Sequence, residues 1–295
     1  MKQSTILVVF ILSILSAIAQ TDTAYRNSMQ SWYASRDKAL LSPTGWLNLA
    51  GLFWLHPGSN SFGKFAAADI APTQEGFPEK AGVFILNENG TVEWVSEKGI
   101  TVTLNDKPVD HILVFHPDSL RQPTLAIGRF RFTIIKREDR IGIRFRDLES
   151  PVVKNYHGID RFPLDPSWKF NASLEPTFGR QIMITNVLGQ TAPQPSPGKL
   201  VFTVAGKTYK LDAIDEGGDE LFIIFGDETS GTTTYPSGRF VYANKPGADG
   251  KTILDFNKSI NPPCAFTEFA TCPLPPRQNI LPIAINAGEK NFGKH

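Results

Sequence analysis

Residues 128–147 read GRFRFTIIKREDRIGIRFRD, Gly128 through Asp147, and their alternation decides the fold class. On the outgoing half Phe130, Phe132 and Ile134 alternate with Arg129, Arg131 and Thr133. On the returning half Ile141, Ile143 and Phe145 alternate with Arg140, Gly142, Arg144 and Arg146. Successive side chains of a strand point to opposite faces, so the pattern is a β-hairpin with one apolar face. An even-length turn at Glu138-Asp139 pairs Arg137 with Arg140, Thr133 with Arg144 and Arg131 with Arg146. An odd turn would set each arginine opposite an apolar residue and mix both faces, so the even register is expected. It gathers six of the thirteen arginines on the face away from the core. Like charges directly opposite one another are destabilising. The face is therefore expected either to pair with acids such as Asp147 and Glu149 or to recognise an anion, for which guanidinium forks are suited.

Outward from this hairpin the same period continues. Strands are predicted at 82–86, 91–95, 100–104, 125–136, 141–147, 181–187, 199–204, 208–214, 220–225, 239–243, 252–256 and 281–286. Gly, Pro, Asn and Asp clusters separate them, which is the signature of an all-β protein, sandwich or barrel-like, and not of a βαβ fold. The helical exception is 24–41, where Tyr25, Met29, Trp32, Arg36 and Leu40 recur at helical spacing until Ser42-Pro43 and Gly45 end the pattern. Residues 20–295 read as a single β-rich domain, with sub-units at 43–175 and 176–295 as the alternative division. The eight residues Thr191 to Gly198 are the most linker-like segment and read equally as a long hairpin loop. A short echo, Gly128-Arg129-Phe130 against Gly238-Arg239-Phe240, hints that the two halves are related.

Thirty basic against 29 acidic residues give a net charge of +1, which leaves no electrostatic footprint for nucleic acid. Lys2, the apolar run Ile6 to Leu15 and the small residues Ala17-Ile18-Ala19 read as a signal peptide, residues 1–19. A spanning helix needs roughly 20 apolar residues, so no integral membrane segment is expected in the mature chain, and export is. In an oxidising compartment Cys264 and Cys272, eight positions apart in a proline-rich loop, are expected to form a disulfide. The alternatives are a metal pair or free thiols. No CxxC occurs, and His56, His111, His116 and His157 lack the H-x-x-x-H or H-E-x-x-H spacing of a zinc site. No metal and no cofactor is therefore expected.

The densest run of chemistry-bearing residues is C-terminal. Asp227 follows an apolar strand, Arg239 opens another, and Asp255, Asn257, Asn261 and Glu289 sit in apolar or proline-rich chain. Small polar groups in such surroundings need internal partners, so one reading is a polar network that pins a loop. The other is a pocket in which Asp227, Asp255 or Glu289 serves as acid or base, with Arg239 as orienter.

These strings carry a resemblance. From Trp32 and Arg36 through GWLNLAGLFWL, GIRFRD and GRF to DFNKSINPPCAF, ATCPLPP and AGEK, the chain resembles the uncharacterised family numbered 1684 among domains of unknown function. The resemblance implies no activity. It marks Asp255, Asn257, Asn261, Pro262, Pro263, Cys264, Cys272, Pro273, Asn279 and Glu289 as family-pattern positions, with Arg144, Arg146 and Asp147 in GIRFRD.

Three functional readings follow. The leading one is binding of a small or saccharide-like ligand, anionic or not, by Arg144, Arg146 or Arg239 with Asn257 and Asn261. The second is a hydrolase using Asp255 with Asp227 or Glu289. The third is a structural or interaction module of the cell envelope. The aromatic string Trp46, Phe53, Trp54 is read as packing rather than as a sugar platform.

Overall fold

The computed structural model describes residues 2–119, 122–137 and 139–293. Its described side chains begin at Asp22, so the expected leader at 1–19 lies outside them, as does Glu138 of the hairpin turn. The chain divides into two compact units. The middle unit is Ala39–His157 with Thr267–Ala270, and the terminal unit is Met1–Lys38, Gly158–Phe266 and Thr271–His295.

The middle unit holds strands β1 (Leu49–Trp54), β2 (Gly58–Phe62), β3 (Gly82–Leu86), β4 (Val92–Ser96), β5 (Thr103–Leu104), β6 (Lys107–Pro108), β7 (His111–Phe115), β8 (Thr124–Ile127), β9 (Phe130–Arg137) and β10 (Arg140–Asp147). They form a six-stranded sheet, ordered β1-β10-β9-β8-β5-β6, and a four-stranded sheet, ordered β2-β3-β4-β7. The hairpin β9–β10 has the even register: Arg140 lies opposite Arg137, Arg144 opposite Thr133 and Arg146 opposite Arg131. Its apolar face is buried, and rings of the two sheets meet there, Phe62 at 5.5 Å from Phe132 and Trp94 at 5.3 Å from Phe132. Such edge-on and tilted contacts add to the area term that drives burial. The expected strand 125–136 is instead two strands, because Gly128 takes φ +53° and turns the chain so that Ile127 faces Phe130.

In the terminal unit α1 (Lys2–Leu41) ends where Ser42-Pro43 stops it. The strands are β11 (Lys169–Pro176), β12 (Gln181–Thr185), β13 (Thr191–Pro195), β14 (Gly198–Val204), β15 (Lys207–Asp215), β16 (Glu220–Phe225), β17 (Arg239–Asn244) and β18 (Lys251–Asp255). Six of them form one antiparallel sheet, β17-β16-β15-β14-β11-β18, and β12–β13 is a separate hairpin. The turn at Gly247–Gly250 brings β18 back beside β17, and Thr252 Oγ1 donates to the Asn244 carbonyl at 2.7 Å. At the far end Phe240 and Ile260 exchange backbone hydrogen bonds of 2.9 and 2.8 Å. The sheet therefore curls until its end strands meet along a partly bonded seam, and its interior is filled by Phe202, Leu211, Ile223, Phe225, Leu254 and Phe256.

Two sequence expectations fail here for identifiable reasons. Residues 281–286 form no strand. Leu281 makes one parallel bridge-type bond to Gly226, and Pro282 then removes the next donor, so the segment packs Ile285 and Ala287 into the core without laddering. The linker-like segment is largely strand β13, paired with β12. Strand β11 lies outside the strands expected from the sequence, although Phe170, Ala172 and Leu174 alternate along it.

Candidate functional site

Helix α1 supplies one wall of a chemically varied cavity in the terminal unit. Tyr25 and Tyr33, two turns apart, and Arg36 reach three successive parts of the C-terminal constellation. Tyr25 Oη donates to the Asp255 carboxylate, 2.8 Å from Oδ2 and 3.0 Å from Oδ1, and accepts from Asn257 Nδ2 at 3.1 Å. Burial, then the hydrogen bond and charge of Asp255, pushes the Tyr25 phenol far above its usual range. Asp255 ends β18 and caps the single helical turn 256–258, its Oδ1 accepting from the Asn257 backbone N–H at 3.1 Å. Asn257 is almost wholly buried; its Nδ2 also donates to the Asp165 carbonyl at 2.8 Å.

Beside this knot the seam between β17 and β18 leaves a cavity of about 230 Å³. Tyr25, Lys169, Glu220, Tyr242, Asp255 and Lys258 line it. Lys169 stands opposite Asp255 in the β11–β18 register, with its ammonium 4.7 Å from the Tyr25 ring centre. Tyr242 is stacked on Phe222 at 5.0 Å, and burial first, then nearby Glu216, pushes its hydroxyl up to about 12. Two carboxylates, two ammonium groups and two phenols thus share one small space with balanced charge.

The other expected acids are spent elsewhere. Glu289, with none of its surface exposed, accepts from Arg36 Nε at 3.0 Å and from the Asn261 backbone N–H at 2.6 Å. Asn261 Nδ2 donates to the Lys290 carbonyl at 2.7 Å. Asp227 accepts from the Thr229 backbone N–H at 2.7 Å and pairs with Arg239 at 2.8 Å. Arg239, also fully buried, donates to the carbonyls of Ile285, Ala287 and Glu289 and lies over the Phe225 ring. Burial lowers its guanidinium from the ordinary range, an effect that Asp227 only partly counters. Arg239 is an internal cross-link that no ligand reaches, and Asn257 and Asn261 are network members with under 2% of their surface exposed.

Arg144 and Arg146 lie in the middle unit, apart from the C-terminal constellation in sequence and in unit. Arg144 stacks on Trp46, 4.9 Å to the ring centre, and Arg140 on Trp54 at 4.1 Å. Arg146 donates to the carbonyls of Thr44 at 3.1 Å and Gly45 at 3.4 Å. Burial lowers both Arg144 and Arg146 to about 10. Arg129 pairs with Asp147 at 2.9 Å. Glu149 lies 3.6 Å from the same guanidinium, so the arginine face is offset by tryptophan rings, carbonyls and the two acids expected from the sequence, Asp147 and Glu149. Trp46 and Trp54 serve it as stacking partners, while Phe53 packs against the core.

Cys264 and Cys272 are joined by a disulfide. Among the described residues no group of three or more His, Cys, Asp or Glu side chains converges as a metal ion would require, and no helix is long and apolar enough to cross a membrane. Tyr25 had a sequence signal through its helical spacing. Lys169, Glu220, Tyr242 and Lys258 had none, since each is one polar residue in an ordinary strand or turn.

No curated protein matches the chain. A solution structure of an uncharacterized protein from Haloarcula marismortui is 27% identical over 50% of this chain and 83% of that one, with a TM-score of 0.41. A crystal structure of Rad53 with AMP-PNP is 11% identical over 71% of this chain and 47% of that one, with a TM-score of 0.16. At those scores neither bears on the fold. The family match begins after GWLNLAGLFWL and GIRFRD, so those strings lie outside it, whereas every residue of the C-terminal constellation lies inside. Residues 154–290 match the model of the family described as protein of unknown function, DUF1684, the family that the C-terminal strings resemble.

Proposed function

We propose that the mature chain is an exported binding protein for a small, uncharged, polyhydroxylated ligand of saccharide type, held in the seam cavity. The observation that carries this reading is the cavity's lining. Glu220 supplies a carboxylate that can accept hydrogen bonds from ligand hydroxyls, Lys169 and Lys258 supply donors for hydroxyl oxygens, and Tyr242 and Tyr25 supply aromatic edges. Asp255, already held by Tyr25 and Asn257, lines the space with its remaining lone pairs. Balanced charge suits a neutral ligand better than an ion, and a volume near 230 Å³ is of monosaccharide size. The disulfide is compatible with the expected export.

The rival reading, hydrolysis by Asp255 with Asp227 or Glu289, has less behind it. Both partners are buried and engaged by arginine and backbone donors, so neither shares the cavity with Asp255. A purely structural role fits Arg239, Asp227 and Glu289 but leaves the open cavity unexplained.

A thermal-shift and calorimetric screen of neutral hexoses, pentoses and polyols against the full mature chain tests the proposal. At least one should bind, and Lys169→Met or Asp255→Asn should weaken it about tenfold, the loss of one charge-assisted hydrogen bond. Binding unchanged in both variants, or absent for the whole panel, would remove the assignment.

A further inference from the structure

A second cavity in the terminal unit has a different chemistry. It is about 540 Å³ in volume and lies between the β12–β13 hairpin and the proline-rich strand of chain 274–278. Its lining includes Arg180, Met183, Thr185, Pro275, Arg277 and Gln278. The seam cavity shares none of these residues.

Both ends of the proline-rich wall are anchored. At one end Leu274 donates its N–H to the Thr185 carbonyl at 2.8 Å, and Val187 donates to the Cys272 carbonyl at 2.9 Å. Cys272 is itself tied to Cys264. At the other end Asn279 is buried and clamped: its Oδ1 accepts from the Asp212 N–H at 2.8 Å, and its Nδ2 donates to the carbonyls of Asp212 and Ile224, each at 2.9 Å. Between the anchors Pro275 and Pro276 have no N–H to satisfy, so this stretch can border an open groove without stranding a backbone donor.

Charge in this groove is not balanced. Asp212 is the acid beside it, and its side chain is fully buried. It already meets Arg180 at 3.4 Å, Lys199 at 3.4 Å and Gln278 Nε2 at 2.6 Å. One carboxylate therefore answers two cations, and Arg277 on the groove wall has no acidic partner among the described residues. Ile182, Met183, Leu274 and two prolines give the groove an apolar portion beside the polar Gln181, Thr185 and Gln278.

We infer that this groove binds a small organic anion, a carboxylate or phosphate monoester with an apolar body, whose oxyanion is taken by Arg277 and Arg180 while its body lies along the prolines and Met183. Guanidinium forks match the planar or tetrahedral oxygens of such a group. The volume exceeds what an inorganic ion alone would fill, and the apolar wall contributes only if the anion carries carbon. The site is independent of the saccharide reading, and it uses none of the arginines that the sequence singled out.

Isothermal titration calorimetry of the full mature chain with inorganic phosphate, phenyl phosphate and benzoate provides the test. Phenyl phosphate or benzoate should bind more tightly than phosphate, and raising salt should weaken binding. Arg277→Ala, at an exposed residue without a side-chain partner, should leave the melting temperature unchanged. It should weaken binding about tenfold, and Arg277→Lys should restore only part of it, as a fork differs from a point charge. Asp255→Asn, in the other cavity, should change nothing here. Absence of binding by all three probes, equal binding by wild type and Arg277→Ala, or phosphate binding as tightly as phenyl phosphate would overturn the proposal.

Discussion

Replacing Arg239 by methionine should destabilise the terminal unit by about 4 kcal/mol, the central value for removing one partner of a buried ion pair. Methionine keeps most of the side-chain volume, so the change isolates the guanidinium from packing. What it leaves behind is the basis of the figure. Arg239 and Asp227 side chains are both fully buried with 2.8 Å between them, and the carbonyls of Ile285, Ala287 and Glu289 lose a donor at the same time. Asp227 keeps its hydrogen bonds from Thr229, which holds the loss below a full sum of these contributions. For a domain of this size about 2–4 °C accompanies each kcal/mol, so the melting temperature should fall by roughly 10 °C. Hydrogen exchange of peptides covering 221–227 and 239–244 reads the opening free energy of these strands directly. The double variant Arg239→Met with Asp227→Leu should lose less than the two single changes combined, because the second substitution removes the stranded carboxylate. A loss below about 1 kcal/mol for Arg239→Met, or simple additivity in the double variant, would mean that water reaches Asp227 and that the cross-link is not one.

Further consequences are equally measurable. Separating Cys264 from Cys272 by serine substitution should cost about 2.5 kcal/mol in the chain-entropy model, and alkylation should find two thiols only after reduction. Tyr242 is raised to about 12 and Tyr25 is raised too, so the folded state holds protons that the unfolded chain releases near pH 10. Stability should accordingly be unaffected below that pH and fall between pH 10 and 12, with Tyr242→Phe flattening the decline in a pH series of urea melts. Gly142→Ala would place a methyl carbon 2.7 Å from the Phe53 carbonyl oxygen and 2.8 Å from the Trp54 ring. It should destabilise the middle unit by about 1–3 kcal/mol in thermal melts.

The sequence was most legible where information is local. The arginine hairpin declares its register because its two strands are joined by one short turn, and a slip would move every phenylalanine to the wrong face. The acids that pair with this face, Asp147 and Glu149, were legible because they lie at and just beyond the end of the returning strand. The stacking of Arg144 and Arg140 on Trp46 and Trp54 was not, because those rings come from a segment some ninety residues earlier and carry no charge to match. The C-terminal polar residues were legible as a set that needs partners. The partners themselves were not, since Tyr25 and Arg36 meet Asp255 and Glu289 across separations of 230 and 253 residues. Arg180 and Arg277 gave no signal at all. That both line one groove depends on a hairpin and a proline-rich segment, and neither has a motif that announces the other.

The hairpin β12–β13 is a two-stranded sheet standing apart from the six-stranded one, and such ribbons present open edges to any passing chain. Asn186 donates to the Gln190 carbonyl at 2.9 Å, which sets the bonded pairs at 184 with 192 and 182 with 194. Residues 193 and 195 must then face outward, and both are proline. The outer border of β13 therefore has no donor at either position with which to recruit a further strand. On the other side β12 continues into residues bordered by 272–274, where Pro273 again lacks an N–H. A two-stranded ribbon with Met183 and Leu188 exposed would otherwise offer an edge for strand-to-strand association. The prolines make that border of the ribbon a poor template for a further strand. Exchanging Pro193 and Pro195 for valine would restore the missing donors and with them the tendency to aggregate.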